Sequence, residues 1–194
     1  MSKREILEQI DREVTSCVEC RLYKRRRHAV PGDGNINAEI MFVGEAPGRQ
    51  EDAEGVPFVG QAGQLFDRFL ADIGISRQNV YVTNVVKCRP PGNRDPRADE
   101  ISVCTELYLS RQVGVIRPKF LVMLGRHSAS YVLSEVGMDV KGITQIHGEI
   151  CEVAPFGFPV LALPMLHPAA ALYQAKYKEL LENDFAVLKS RLGK

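Results

Sequence analysis

Four short apolar runs, Ile40–Val43, Val80–Thr83, Phe120–Leu124 and Val160–Leu163, alternate along this chain with amphipathic stretches. Each run is bounded by turn residues and is too short for a helix. The stretches between them, Gln61–Ile73, Pro96–Val113 and Arg126–Glu135, with a terminal one over Ala171–Leu192, carry apolar residues at helical spacing. Strand, helix, strand in repetition predicts an α/β fold: a four-stranded parallel sheet with helices on both faces. Asp95 as N-cap and Pro96 at the first position predict where the second helix starts. Gln145–Val153, with Gly148 inside it, is expected to form an edge hairpin.

In such sheets ligands bind beyond the carboxyl ends of the strands. The segments that follow the runs are Gly44-Glu45-Ala46-Pro47-Gly48, Asn84-Val85-Val86-Lys87-Cys88, Gly125-Arg126-His127 and Leu166-His167-Pro168-Ala169-Ala170. Polar and turn-forming residues thus gather at one edge of the sheet.

The 194 residues suit a single domain over 1–194, large enough to bury roughly 70% of its unfolded surface. No apolar run approaches the roughly 18 residues of a membrane span, and the first residues lack a signal-peptide core, so a cytoplasmic protein is expected. A net charge of +1 does not announce a nucleic-acid partner. Charge is concentrated locally instead, in Arg21, Lys24, Arg25, Arg26 and Arg27. Such a run is either a solvated patch or a phosphate-binding one.

Five cysteines without a secretory signal argue against a disulfide framework. Cys17 and Cys20 form a close pair; Cys88 and Cys104 are widely spaced. Four thiolates suit either a structural zinc or a 4Fe–4S cluster, and the open second pair favours the larger cluster. Cys151 reads as an inert thiol.

Together, Gly44-Glu45-Ala46-Pro47-Gly48, the run Thr83-Asn84-Val85-Val86-Lys87-Cys88-Arg89-Pro90-Pro91, the four cysteines and His167-Pro168-Ala169 resemble the family 4 uracil-DNA glycosylases. The resemblance extends from about Cys17 to the last helix. It implies a uracil-DNA glycosylase-like fold, a 4Fe–4S cluster on Cys17, Cys20, Cys88 and Cys104, and an enzyme that extrudes uracil from DNA and cuts its N-glycosidic bond.

The resemblance also implies roles. Phe58 would stack on the extruded base, and Asn84 would read its edge through an amide. Glu51 would exclude the thymine methyl group. His167 and backbone N–H groups at Gly44, Glu45 and Ala46 would stabilise the departing uracil anion. Arg25, Arg26, Arg27 and Arg49 would contact phosphates, and Leu172 would fill the gap left by the base. Family 1 glycosylases carry an aspartate where Ala46 stands here. That leaves Glu45 as the side-chain candidate for positioning water, with no general base assigned. A monomer is expected; a replication or repair protein partner is compatible with the reading, although no docking peptide is visible. Two other classes compete: a non-enzymatic, metal-stapled nucleic-acid-binding module and an iron–sulfur electron carrier.

Overall fold

The computed structural model describes residues 1–193. Its centre is a six-stranded sheet in the spatial order β1-β3-β2-β4-β6-β5. The strands are β1 (Asp33–Gly34), β2 (Ile40–Gly44), β3 (Tyr81–Asn84), β4 (Phe120–Leu124), β5 (Cys151–Val153) and β6 (Val160–Met165). β3, β2, β4 and β6 run parallel, as the apolar runs predict. β1 and β5 add antiparallel edges. The expected hairpin over 145–153 is displaced. Ile143–Ile146 is a helical turn, and β5 pairs with β6 instead.

Side chains alternate across the sheet, so each strand supplies both faces. Met41, Val43, Tyr81, Leu121, Met123 and Ala162 form one core with helix α1 (Lys3–Ser16) and helices α4 (Ala98–Cys104) and α5 (Ser110–Ile116). Ile40, Phe42, Val82, Val122, Leu163 and Met165 form the other. They pack on α3 (Gln61–Asp72) and on α9 (Ala175–Arg191). Among the described residues no helix is long and apolar enough to cross a membrane.

Three local features bear on function. The helix expected from Pro96 starts later, with Arg97 as N-cap and Glu100 bonded back to the Arg97 N–H at 2.8 Å. Asp95 is drawn away from the capping position by Arg126, at 3.1 Å. A π-helical turn, Thr105–Leu109, directly follows Cys104 and joins α4 to α5; such turns often mark functional positions. The terminal helical stretch is split into α8 (Pro168–Ala171) and α9, with Leu172, Tyr173 and Gln174 between them.

Candidate active site

A cleft of about 280 Å³ opens across the carboxyl ends of β2, β3 and β6. Its walls include Glu45, Ala46, Glu51, Phe58, Asn84 and His167, residues scattered over the sequence but gathered by the topology. A larger groove of about 840 Å³ lies between α4–α5 and α6 (Arg126–Ser134). Convergent polar groups, not size, favour the first as the site.

Parallel register sets Gly44 beside Asn84. A Cβ on Gly44 would collide with the Asn84 amide oxygen and the Phe58 ring, so only glycine lets both approach. Asn84 is buried, and its Oδ1 has no hydrogen-bond partner. An orphaned acceptor in a folded protein costs roughly 1–3 kcal/mol, which a ligand donor would recover. The backbone carbonyl of Asn84 accepts from the ammonium of fully buried Lys87 at 2.7 Å. Lys87 also donates to Thr83 Oγ1 at 2.6 Å and Gln112 Oε1 at 2.7 Å. This lysine, unassigned by the sequence reading, pins the strand end that carries Asn84.

Phe58 lies on the opposite wall in the left-handed region, with φ +57°. A non-glycine residue holds that conformation only when its surroundings enforce it. Glu51 does so: its carboxylate accepts from Val59 N at 3.0 Å, Gly60 N at 2.8 Å and Gly48 N at 3.0 Å. Gly63 gives the room, because a Cβ there would strike the Phe58 carbonyl. The Phe58 ring then rests 5.3 Å from Phe66 and 5.9 Å from the His167 imidazole, centroid to centroid. Glu51 thus lines the cleft, but both its oxygens hold backbone.

His167 caps α8: its Nδ1 accepts from Ala169 N at 3.1 Å. The proton of a neutral ring must therefore sit on Nε2. Burial pushes the His167 pKa below its ordinary value, with Glu45 and Glu51 opposing the shift more weakly. Near neutral pH the cleft thus contains a neutral imidazole with a donor to offer. Asp184 supports it from α9, accepting from Leu166 N at 3.3 Å and from His147 Nδ1 at 2.8 Å. Among the described residues the Glu45 and Ala46 N–H groups have no protein acceptor.

The four cysteines also meet. Cys17, Cys20, Cys88 and Cys104 line one enclosed apolar space with Val14, Leu22, Val86 and Tyr108. Arg26 donates to Cys88 Sγ at 3.1 Å, and the Lys87 N–H donates to Cys104 Sγ at 3.3 Å. Such donors suit sulfur in the thiolate form. A single zinc with Zn–S bonds of about 2.3 Å would hold tetrahedral sulfurs about 3.8 Å apart. Among the described residues no three cysteine sulfurs lie within 4.8 Å of one another.

Of the basic residues, Arg25, Arg27 and Arg49 are exposed. Arg26 is half-buried, its guanidinium donating to Cys88 Sγ and to the Thr15 carbonyl at 2.7 Å. Leu172 is exposed at the end of α8 rather than packed in a continuous helix. Its neighbour Tyr173, which the sequence reading passed over, is 84% exposed. Cys151 is half-buried, its Sγ 3.9 Å from the Ala162 carbonyl.

Residues 31–189 match the model of the uracil DNA glycosylase superfamily. A Type-4 uracil-DNA glycosylase of Saccharolobus solfataricus is 49% identical over 188 residues, covering 96% of this chain and 87% of that protein. A Type-4 uracil-DNA glycosylase of Archaeoglobus fulgidus is 46% identical over 190 residues, covering 98% of this chain and 95% of that protein. A DNA polymerase of Bacillus phage SP01 is 32% identical over 162 residues, which are 83% of this chain but 16% of the polymerase.

Proposed function

The chain belongs to the uracil DNA glycosylase superfamily, and we propose that the cleft at the carboxyl ends of β2, β3 and β6 is where it excises uracil from DNA. The observation that carries this is the orphaned Asn84 amide oxygen, buried in a cleft whose other walls are an aromatic ring and a neutral imidazole donor. A pyrimidine inside a duplex cannot reach such a cleft, so the nucleotide is extruded first. Uracil stacks on Phe58. Its N3–H donates to Asn84 Oδ1 and its O4 accepts from the same amide, a pattern that cytosine reverses. As the N-glycosidic bond breaks, its electron pair stays with the base, and charge builds on O2. His167 Nε2–H and the N–H groups of Glu45 and Ala46 stabilise that charge. Water then adds to the sugar cation and yields an abasic site.

Thymine is excluded at Glu51. A carboxylate fixed by three N–H bonds cannot swing aside for a 5-methyl group. Arg25, Arg27 and Arg49 contact phosphates, and Leu172 occupies the gap in the base stack. The protein acts as a monomeric single domain in the cytoplasm, with other repair or replication proteins as partners.

Cys17, Cys20, Cys88 and Cys104 hold a 4Fe–4S cluster. N-glycosidic hydrolysis has no redox step, so the cluster ties the N-terminal segment to the β3–α4 connection behind Asn84. The protein is expected to purify brown, with broad absorbance near ~400 nm and about four irons per chain. Colourless protein prepared without oxygen and carrying one zinc would remove the cluster from the account.

The likeness to a phage polymerase segment keeps the binding-module reading in view, since there the same region is part of a much larger chain. Both Asn84 and His167 are present here, and a module or an electron carrier needs neither. Incubation with a single-stranded oligonucleotide containing one uracil, followed by alkali, separates these readings. Strand scission at the uracil and free uracil in solution are expected; binding without scission would establish the module.

A further inference from the structure

His127 lines the larger groove beside the cleft and reaches the cleft wall through Glu45. It is the second residue of α6, after the turn at Gly125. Its Nδ1 lies 2.7 Å from Glu45 Oε2, across 82 residues of sequence. Its Nε2 faces Asp95 Oδ2 at 3.5 Å and the Arg126 guanidinium at 3.3 Å. Arg126 in turn pairs with Asp95 at 3.1 Å. Glu45 on one side and Asp95 and Arg126 on the other are the charged groups facing this ring. The bond to Glu45, ahead of all other causes, raises the His127 pKa, so the imidazolium is favoured.

Two carboxylates line the cleft, and their states differ. Glu51 spends both oxygens on backbone N–H groups. Glu45 gives Oε2 to His127, while among the described residues no group donates to Oε1. We infer that His127 is the positioning residue that holds Glu45 in one rotamer, so that Oε1 faces the sugar of the extruded nucleotide. This rests on the proposed glycosylase site and deepens it. A fixed anion there favours the cationic sugar as the bond to uracil breaks, and it orients the water that follows. Ala46 has no side chain that could do this. A carboxylate free to rotate would spend its time on solvent, and its attraction to the developing cation would be diluted.

The test is a double-mutant cycle on single-turnover excision from a uracil oligonucleotide at neutral pH. His127→Leu is expected to lower the rate about ten- to hundredfold, the range for losing one hydrogen bond to a charged group. DNA affinity should stay the same. His127→Gln, whose amide can donate to the same oxygen, should recover most of the rate. In a Glu45→Gln background His127→Leu should cost little, because its effect runs through Glu45. An equal loss in both backgrounds would overturn the inference, as would a Glu45→Gln protein of full activity. Melting temperature and iron content separate misfolding from either result. If the unaltered protein excises no uracil, the glycosylase site itself fails; if it does so and only the coupling is absent, His127 alone is removed.

Discussion

Replacing His167 with alanine is expected to lower single-turnover uracil excision by two to three powers of ten while leaving DNA affinity nearly unchanged. An acceptor on neutral uracil gains little from one more donor, whereas the departing anion gains much, so the interaction grows along the reaction. One donor to a developing oxyanion contributes about 2.7–4 kcal/mol. The structure fixes which ring nitrogen is free to donate. Ala169 N–H occupies Nδ1, so Nε2 carries the proton of the neutral ring. Asp184 holds the Leu166 N–H just upstream and limits the ring's freedom to move with its backbone. His167→Asn and His167→Gln should fall between alanine and the original residue, according to how well their amides reach O2. Rapid-quench excision at saturating enzyme gives the rate, and anisotropy on an uncleavable analogue gives affinity. A rate within a few-fold of the original would take His167 out of the mechanism.

The same residue fixes a pH dependence. Its folded pKa is lowered by burial, so below about 6.5, the ordinary histidine value, the unfolded chain takes up a proton that the folded ring resists. Stability from this group is complete above that value and declines as pH falls towards the folded pKa. Protonation also sets an Nδ1–H against the Ala169 N–H, so excision should fall over the lower pH range, after the unfolded ring would already have titrated.

Asn84→Asp has the second large effect. The amide can accept from uracil N3–H and donate to O4, and a carboxylate keeps only the acceptor. Uracil O4 is then buried without a partner, next to a new negative charge. Each unsatisfied buried group costs roughly 1–3 kcal/mol, so uracil excision should fall by one or two powers of ten or more. A carboxylate accepts from cytosine N4–H, and once protonated it donates to N3, so weak cytosine excision should appear. Rotation of the natural amide would interchange its two ends and blur the distinction. Lys87 fixes the strand end below Asn84, and the side chain sits against Gly44 and Phe58. Those contacts hold the amide in place, and hydrogen bonds to its two ends are what tell them apart.

Much of this site was legible because its signals are local. The four parallel strands appear as apolar runs, and polar motifs follow them at one edge of the sheet. Cys17, Cys20, Cys88 and Cys104 were identified as a set by residue type, and the fold brings them to one space. What escaped was set by partners far away in sequence. Asp33 and Gly34 form a strand only because Tyr81 and Val82 offer an edge; nothing in their own chemistry favours one. Arg26 reads like its basic neighbours in sequence, and its bond to Cys88 shows only in the fold. Lys87 carries no assigned role in the sequence, because its acceptor Gln112 lies far along the chain on α5. His127 stands in one of the segments that follow the strands, but its partner Glu45 follows a different strand and could not be read from its neighbours. The continuous terminal helix failed because His167 caps the four-residue α8, and the chain turns again at Leu172 before α9 begins.

The central claim is that the buried Asn84 amide reads the Watson–Crick edge of an extruded uracil. Uracil and cytosine excision from matched single-stranded oligonucleotides, measured under single-turnover conditions for the natural protein and for Asn84→Asp, tests it most directly. The account predicts that the natural protein excises uracil alone, and that Asn84→Asp loses one to two powers of ten or more on uracil while gaining a measurable rate on cytosine. Full uracil activity with an unchanged uracil-to-cytosine ratio would contradict it and leave Asn84 as a residue that merely ends a strand.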